Sequence, residues 1–133
     1  DEEYKLCHVM NPNELETEVL TGIRPANQAE AAQAATILRQ RGVEVAVIKL
    51  GADGVYYESA DEAGFVPPFA VNSIDTVAAG DAFNGGLAAA LSEDQPLAEA
   101  IRWGAAAGAL ATTKPGASSS MPYRHELLAL LAQ

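Results

Sequence analysis

Residues 74 to 87 read Ile-Asp-Thr-Val-Ala-Ala-Gly-Asp-Ala-Phe-Asn-Gly-Gly-Leu. A strand-like end at Ile74 runs into small residues. Phe83, Leu87 and Leu91 then recur at helical spacing, so a helix is expected from about Gly80 to Leu91. The start of a helix leaves several backbone N–H groups without intrahelical partners. These groups carry partial positive charge and make a ready anion site. Ala78, Ala79 and Gly80 have almost no side chain, so a phosphate can come close to the backbone there. Asp81 places a carboxylate beside that anion hole. Phosphoryl transfer needs this pair, a field that stabilises the moving group and a base that takes a hydroxyl proton. The plainer role for Asp81 is to sit in the first turn and offset the helix dipole by ~0.3–1 kcal/mol. For an isolated Ala-Gly-Asp that plainer role is the better reading, so the flanking sequence has to decide.

Upstream, Leu6 to Met10 is a short apolar piece with strand character, broken by Asn11-Pro12. Asn13 to Leu20 reads as a short helix closed by Gly22, with Pro25 beyond. Ala26 to Arg41 is a longer helix with Ala31, Ala34, Ala35 and Leu38 on one face and Gly42 as its stop. Val43 to Leu50 is almost continuously apolar and β-branched, which suits a strand covered on both faces. Gly51-Ala52-Asp53-Gly54 is a tight turn, and Val55-Tyr56-Tyr57 is the returning strand. Ser59 to Pro68 reads as a loop or sheet edge, and Ala70 to Ile74 as another short strand.

Downstream, Leu97 to about Ala111 forms the next helix, with Leu97, Ile101, Ala105 and Gly108 aligned. Its many Ala and Gly residues imply close approach to neighbouring backbone. Lys114 to Ser120 is a loop and Pro122 to Leu131 a final helix. Alternating strands and helices predict an α/β layer fold with a mostly parallel sheet flanked by helices.

Composition narrows the function classes. The 133 residues suffice for one domain with a core, and 49% are hydrophobic, as in ordinary globular proteins. Eighteen acidic against eight basic side chains give a formal charge of -10, which argues against nucleic acid and anionic membrane surfaces. It does not argue against a nucleotide, whose phosphates a few backbone amides can hold. Cys7 is the single cysteine, so no internal disulfide forms and a reducing, cytoplasmic setting is expected. The acidic start, Asp1-Glu2-Glu3, is unlike a signal peptide, and the small-apolar run Gly104 to Ala111 is too short to span a bilayer. His8 and His125 stand apart from other metal-ligating residues, Cys7 lies in an apolar stretch, and Trp103 reads as core.

Beyond the bare Ala-Gly-Asp, the string Asp75 to Phe83 resembles the Asp-Thr-x-[Ala/Gly]-Ala-Gly-Asp-x-Phe signature of the ribokinase-like sugar kinases, the PfkB family. Ala78 stands where many members have Gly; ribokinases often carry Ala there, followed by Phe-Asn-Gly as in Phe83-Asn84-Gly85. The resemblance implies that Asp81 is the base and that Ala78, Ala79 and Gly80 line the anion hole. Pro12 to Glu16, followed by Leu20-Thr21-Gly22, is similar to the family's Asn-x-x-Glu segment, which implies that Asn13 and Glu16 help organise magnesium and phosphates through water. An amide and a carboxylate are suitable hard oxygen donors. Asn13 as N-cap with Glu16 three residues later also imitates a capping box, and both roles can coexist.

Val45 to Tyr57 also resembles the family, in which the turn glycines, here Gly51 and Gly54, lie near the nucleotide phosphates. Lys49 replaces the Thr usual in ribokinase; it meets a phosphate or is simply a polar strand end. The closing segment, Lys114 to Arg124, is similar too. It implies a monovalent cation, potassium, surrounded by Asp75, the carbonyl of Val77, and groups from Thr112, Gly116 and Ser120. Gly116 can equally serve turn geometry alone.

The resemblance runs from Asn13 to the end of the chain and covers only the C-terminal portion of the family's architecture. It implies a parent that moves the γ-phosphoryl group of ATP to a primary hydroxyl, foremost D-ribose to ribose 5-phosphate. Fructose, a deoxy-gluconate or a nucleoside are alternative acceptors, and a truncated, non-catalytic nucleotide-binding module is the rival of another class. ATP, Mg2+ and K+ are the implied cofactors, and the full-length parent is expected to be a homodimer. Residues 1–133 are expected to lack the sugar-binding half and the lid, to bind nucleotide weakly, and not to phosphorylate ribose alone.

Overall fold

The computed structural model describes residues 9–71, 79–113 and 124–132. The chain divides into two compact units, Asp1–Pro67 and Pro68–Gln133.

In the first unit, β1 (Val9–Met10) leads into α1 (Glu14–Thr21) and α2 (Gln28–Gln40). Gly22 closes α1 at φ 80, and its N–H donates to the Glu18 carbonyl at 2.8 Å. This is the left-handed stop that glycine adopts without a Cβ penalty. Asn27 caps α2 by accepting from the Glu30 N–H at 2.9 Å, and Glu30 reaches back to the Ala26 N–H at 2.8 Å. The expected face of α2, Ala31, Ala34, Ala35 and Leu38, is fully buried. It joins Val43, Ala46, Ile48, Leu50 and Tyr56 in one core. Each large aliphatic side chain buried there contributes about 1.5–3 kcal/mol.

The sheet continues with β2 (Val45–Lys49), a 3-10 turn (Gly51–Asp53), β3 (Val55–Glu58) and β4 (Ala63–Val66), in spatial order β1-β2-β3-β4. Val47, Val55, Tyr57 and Val66, on the face opposite α2, are buried as well. The apolar run of β2 is thus covered on both sides, as its sequence predicts.

The expectation of a mostly parallel sheet needs correction within the described residues. Only β1 and β2 pair in parallel; β2, β3 and β4 form an antiparallel meander. Connection length decides this. A parallel return needs a crossover of a dozen or more residues, which α1 and α2 supply between β1 and β2. The short turn after β2 can only reverse the chain. The Ser59 to Pro68 stretch, expected as loop or edge, contains edge strand β4. The reversal into it is tied by the Ser59 N–H to the Glu62 carbonyl at 2.7 Å, and the Ser59 hydroxyl accepts from the Glu62 N–H at 3.2 Å.

The second unit is helical throughout its described residues: α3 (Ala79–Ser92), α4 (Leu97–Ala111) and α5 (Arg124–Leu131). α3 and α4 run antiparallel along a seam of glycines. A Cβ on Gly86 would lie 2.6 Å from the Trp103 carbonyl oxygen, one on Gly104 3.0 Å from that of Phe83, and one on Gly108 3.2 Å from that of Ala79. Phe83 and Leu87 are buried as expected, but Leu91, placed on the same face, is 44% exposed at the helix end. In α4 the expected stripe is only partly the buried one: Ile101 and Gly108 are buried, Leu97 and Ala105 half-buried. Ala100, Trp103, Gly104, Ala106, Ala107 and Ala111 complete the buried surface. A helix so rich in small residues is apolar almost all round, and periodicity then names the face poorly.

α5 buries Leu127 and Leu130 and is held at both ends by arginines. Arg124 pairs with Glu93 at 2.8 Å and lies over the Trp103 ring, 5.4 Å from its centroid. Arg102 donates to the Leu131 carbonyl at 3.0 Å and stacks on Phe69. Trp103 is therefore core, as read from sequence. Ala70 and Val71 are not strand; the rest of that expected strand, and residues 6–8 of the first one, lie outside the described residues. Among the described residues no helix is long and apolar enough to cross a membrane.

Candidate catalytic and phosphate-binding site

In the second unit, α3 begins at Ala79, half-buried, with Gly80 and Asp81 exposed in its first turn. A 14-residue helix brings a nearly full macrodipole to those amides. The side chains of Ala79 and Gly80 themselves add nothing bulkier than a methyl group. Asp81 presents its carboxylate to solvent in that positive region, where a reacting hydroxyl could meet it. Ala78, the remaining member of the expected anion hole, lies outside the described residues.

The seam fixes this end of α3. Gly108 sits against the Ala79 carbonyl, so the C-terminus of α4 adjoins the N-terminus of α3. Thr112 is the C-cap of α4, one turn beyond Gly108, and its hydroxyl donates to the Ala109 carbonyl at 2.6 Å. The last carbonyls of a helix face outward with partial negative charge, which suits a monovalent cation. Asp75, Val77, Gly116 and Ser120, the other expected cation ligands, lie outside the described residues.

In the first unit the capping box is complete. The Asn13 N–H donates to Glu16 Oε1 at 2.9 Å, and the Glu16 N–H donates to Asn13 Oδ1 at 2.8 Å. The Thr17 hydroxyl adds a bond to the Asn13 carbonyl at 2.6 Å. The structural role of the pair is thereby established. It engages one oxygen of each side chain, and both residues remain exposed. The second Glu16 oxygen and the Asn13 amide nitrogen take no part in the box. A carboxylate oxygen held rigidly at the surface is a fit donor for the water shell of Mg2+.

Lys49, Gly51 and Gly54 stand beside that box. The Lys49 N–H donates to the Pro12 carbonyl at 3.1 Å, which ties the end of β2 to the residue before Asn13. Gly51 opens the 3-10 turn at φ 56 and is exposed; the Leu50 N–H closes the turn onto the Gly54 carbonyl at 2.9 Å. Gly54 is buried at φ 109, and a Cβ there would lie 2.5 Å from the Val66 carbonyl oxygen. Sheet packing alone demands glycine at Gly54, whereas Gly51 is the glycine a phosphate can reach.

One neighbour was not foreseen. Glu14 Oε1 lies 3.1 Å from where a Gly51 Cβ would be. An acid in a first helical turn is common enough that the sequence gives no hint of this contact.

Comparison with known proteins identifies the family. The family model for pfkB family carbohydrate kinases matches residues 2–124. Ribokinase from Haemophilus influenzae is 44% identical over 131 residues, which cover 98% of this chain and 43% of that protein. The crystal structure of Thermotoga maritima ribokinase superposes with a TM-score of 0.89 at 38% identity, covering 99% of this chain and 44% of that one. Arabidopsis thaliana ribokinase, solved with ribose and ATP, also gives 0.89 at 32% identity, covering 98% and 42%. The chain therefore spans under half the length of these relatives. With the Asp75 to Phe83 signature, a complete Asn13–Glu16 box and a bare α3 start all inside the matched stretch, this chain belongs to the pfkB family of carbohydrate kinases.

Proposed function

We propose that this chain supplies the phosphate-binding and catalytic part of an ATP-dependent kinase that phosphorylates the primary hydroxyl of D-ribose, giving ribose 5-phosphate. The observation that carries the reading is the start of α3, where half-buried Ala79 is followed by exposed Gly80 and Asp81. Asp81 accepts the proton of the attacking hydroxyl. The amides of Ala79, Gly80 and Asp81 stabilise charge that accumulates on the transferring group. Asn13 and Glu16 hold water around a nucleotide-bound Mg2+, whose charge offsets that of the phosphates. The Gly51 turn and Lys49 approach the phosphates, and K+ beside Thr112 sharpens the local field. Ribose as acceptor is supported by the ribokinases among the relatives, one of them solved with ribose and ATP. The reading extends to a homodimeric, cytoplasmic enzyme.

The test is a chimera in which this chain replaces the matched segment of the Haemophilus ribokinase. Ribose-dependent ADP release is expected, and Asp81→Asn should lower kcat by ~10²–10⁴ with nucleotide affinity within a few fold. Unchanged turnover in Asp81→Asn removes Asp81 as base, and a chimera active only on another sugar removes ribose.

A further inference from the structure

Among the described residues, Thr17 is the one polar side chain that is fully buried. It lies one turn into α1, four residues after Asn13. Its hydroxyl donates to the Asn13 carbonyl at 2.6 Å, and its own N–H donates to the same oxygen at 2.8 Å. Any residue but proline would supply the N–H bond at this position; only serine or threonine supplies the other. A β-branched side chain is stiff at χ1, so the second bond fixes the tilt of the Asn13–Glu14 peptide. The peptide before Asn13 is held as well, by the Lys49 N–H on the Pro12 carbonyl at 3.1 Å. Asn13 is an extended N-cap, φ -78 and ψ -176, at an exposed helix end, and helix ends fray. Here it is gripped from both sides, and its side chain and that of Glu16 leave the backbone in set directions.

We infer that Thr17 is a positioning residue: its buried hydroxyl fixes the Asn13 peptide and so aims the Asn13–Glu16 pair at the water shell of a nucleotide-bound Mg2+. The inference rests on the reading of that pair given above. Mg2+ demands near-ideal octahedral geometry and keeps several waters, so donors that act through water must be held in place. Partners behind the donors set their orientation. A threonine hydroxyl that bonds the carbonyl four residues back also simply satisfies itself within a helix. That role alone would alter stability and leave the dependence of nucleotide binding on magnesium untouched, so this dependence is the quantity to measure. Thr21 supplies the contrast. Its hydroxyl makes the same kind of bond, to the Thr17 carbonyl at 2.7 Å, two turns away from the pair.

The experiment uses the full 133-residue chain, 15N-labelled and titrated with ADP in excess MgCl2 and with ADP in EDTA. Thr17→Ala removes the hydroxyl without crowding the Asn13 carbonyl, and Thr17→Ser restores it while still lacking the methyl group. Thr17→Ala should bind the magnesium complex about three- to tenfold more weakly, the worth of one hydrogen bond, with metal-free ADP bound as before. Thr17→Ser should return to the wild-type value. Thr21→Ala should lower thermal stability and keep the wild-type magnesium dependence. Glu16→Gln keeps an acceptor for the Asn13 N–H but loses the charge, and should weaken binding of the magnesium complex. If Glu16→Gln has that effect and Thr17→Ala either binds as wild type or weakens both forms of ADP alike, the inference is wrong while the reading of the pair stands. If Glu16→Gln leaves the magnesium complex bound as in wild type, or wild type binds neither form, the reading of the pair fails and the inference with it.

Discussion

The two units handle charge by opposite means. In Asp1–Pro67 the polar work belongs to side chains: Asn13 and Glu16 bond each other's backbone, Glu14 leans on Gly51, and Tyr56 donates to Glu58 Oε1 at 2.8 Å. In Pro68–Gln133 the proposed anion site is the backbone at the start of α3, next to a seam from which side chains are missing at Gly86, Gly104 and Gly108. The lesson concerns vulnerability. Changes of charge or hydrogen bonding should damage the Asn13–Glu16 locus, and added volume should damage the α3–α4 seam.

The largest effect that bears on this contrast is expected at Gly86. Alanine improves helix propensity by about 0.8–1.0 kcal/mol. Its Cβ would stand 2.6 Å from the Trp103 carbonyl oxygen and 2.8 Å from the Ala107 Cβ. Neither is a flexible side-chain end, so an overpacking cost of about 1–3 kcal/mol should prevail. Chemical denaturation should show Gly86→Ala destabilised and the α3 N-terminal amides shifted. Gly22→Ala in the first unit is the matched control. Nothing lies within 4 Å of that Cβ, and only its φ of 80 is unfavourable, for about 1 kcal/mol without movement of neighbours. A stabilised Gly86→Ala would break the comparison.

Next comes pH. Burial, reinforced by the bond to Glu58 and its charge, pushes Tyr56 from 10.0 up to about 12. A raised pKa means that this stabilising contribution is whole below pH 10 and is lost as pH climbs toward 12. The loss is on the order of 2 kcal/mol, and Tyr56→Phe should flatten that part of the alkaline stability curve. In the second unit the Arg124 hydrogen bond holds Glu93 below its ordinary 4.5. Its contribution is present above that value and lost as pH falls through the lowered one. Glu93 is exposed, so salt should screen the effect. A Tyr56→Phe variant with the wild-type alkaline limb would remove the Tyr56 account.

The smallest effect is at the cap. Asn13→Ala removes the acceptor for the Glu16 N–H and should cost about 1 kcal/mol. It should also weaken magnesium-dependent nucleotide binding if the box serves both purposes. Loss of stability without loss of binding would confine Asn13 to capping.

Much of this was legible beforehand, for definable reasons. α1 and α2 have side-chain caps and left-handed glycine stops, and the four buried residues of α2 recur at helical spacing. β2 is a β-branched run between turn residues. Local chemistry fixes each of these. The mixed sheet, the edge strand β4 and the exposed Leu91 depend on how far apart elements lie in space, which residue type does not encode. The start of α3 at Ala79 was readable because Phe83 and Leu87 recur at helical spacing just after a run of small residues. The Glu14–Gly51 contact was not, since it joins residues far apart in sequence by a distance alone. The arginine anchors Arg102 and Arg124 escaped notice for the same reason.

The glycine seam also bears on how this protein can change over generations. A position that already carries no side chain has no smaller residue to move to, so substitution there can only push α3 and α4 apart. Because Gly108 touches the Ala79 carbonyl, any such widening moves the start of α3. The nearest atoms facing Gly86, Gly104 and Gly108 are the backbone carbonyl oxygens of Trp103, Phe83 and Ala79, which no side-chain trim can remove, so accepted change there should be rare. The seam should be among the slowest-drifting parts of the chain, for reasons of clearance alone.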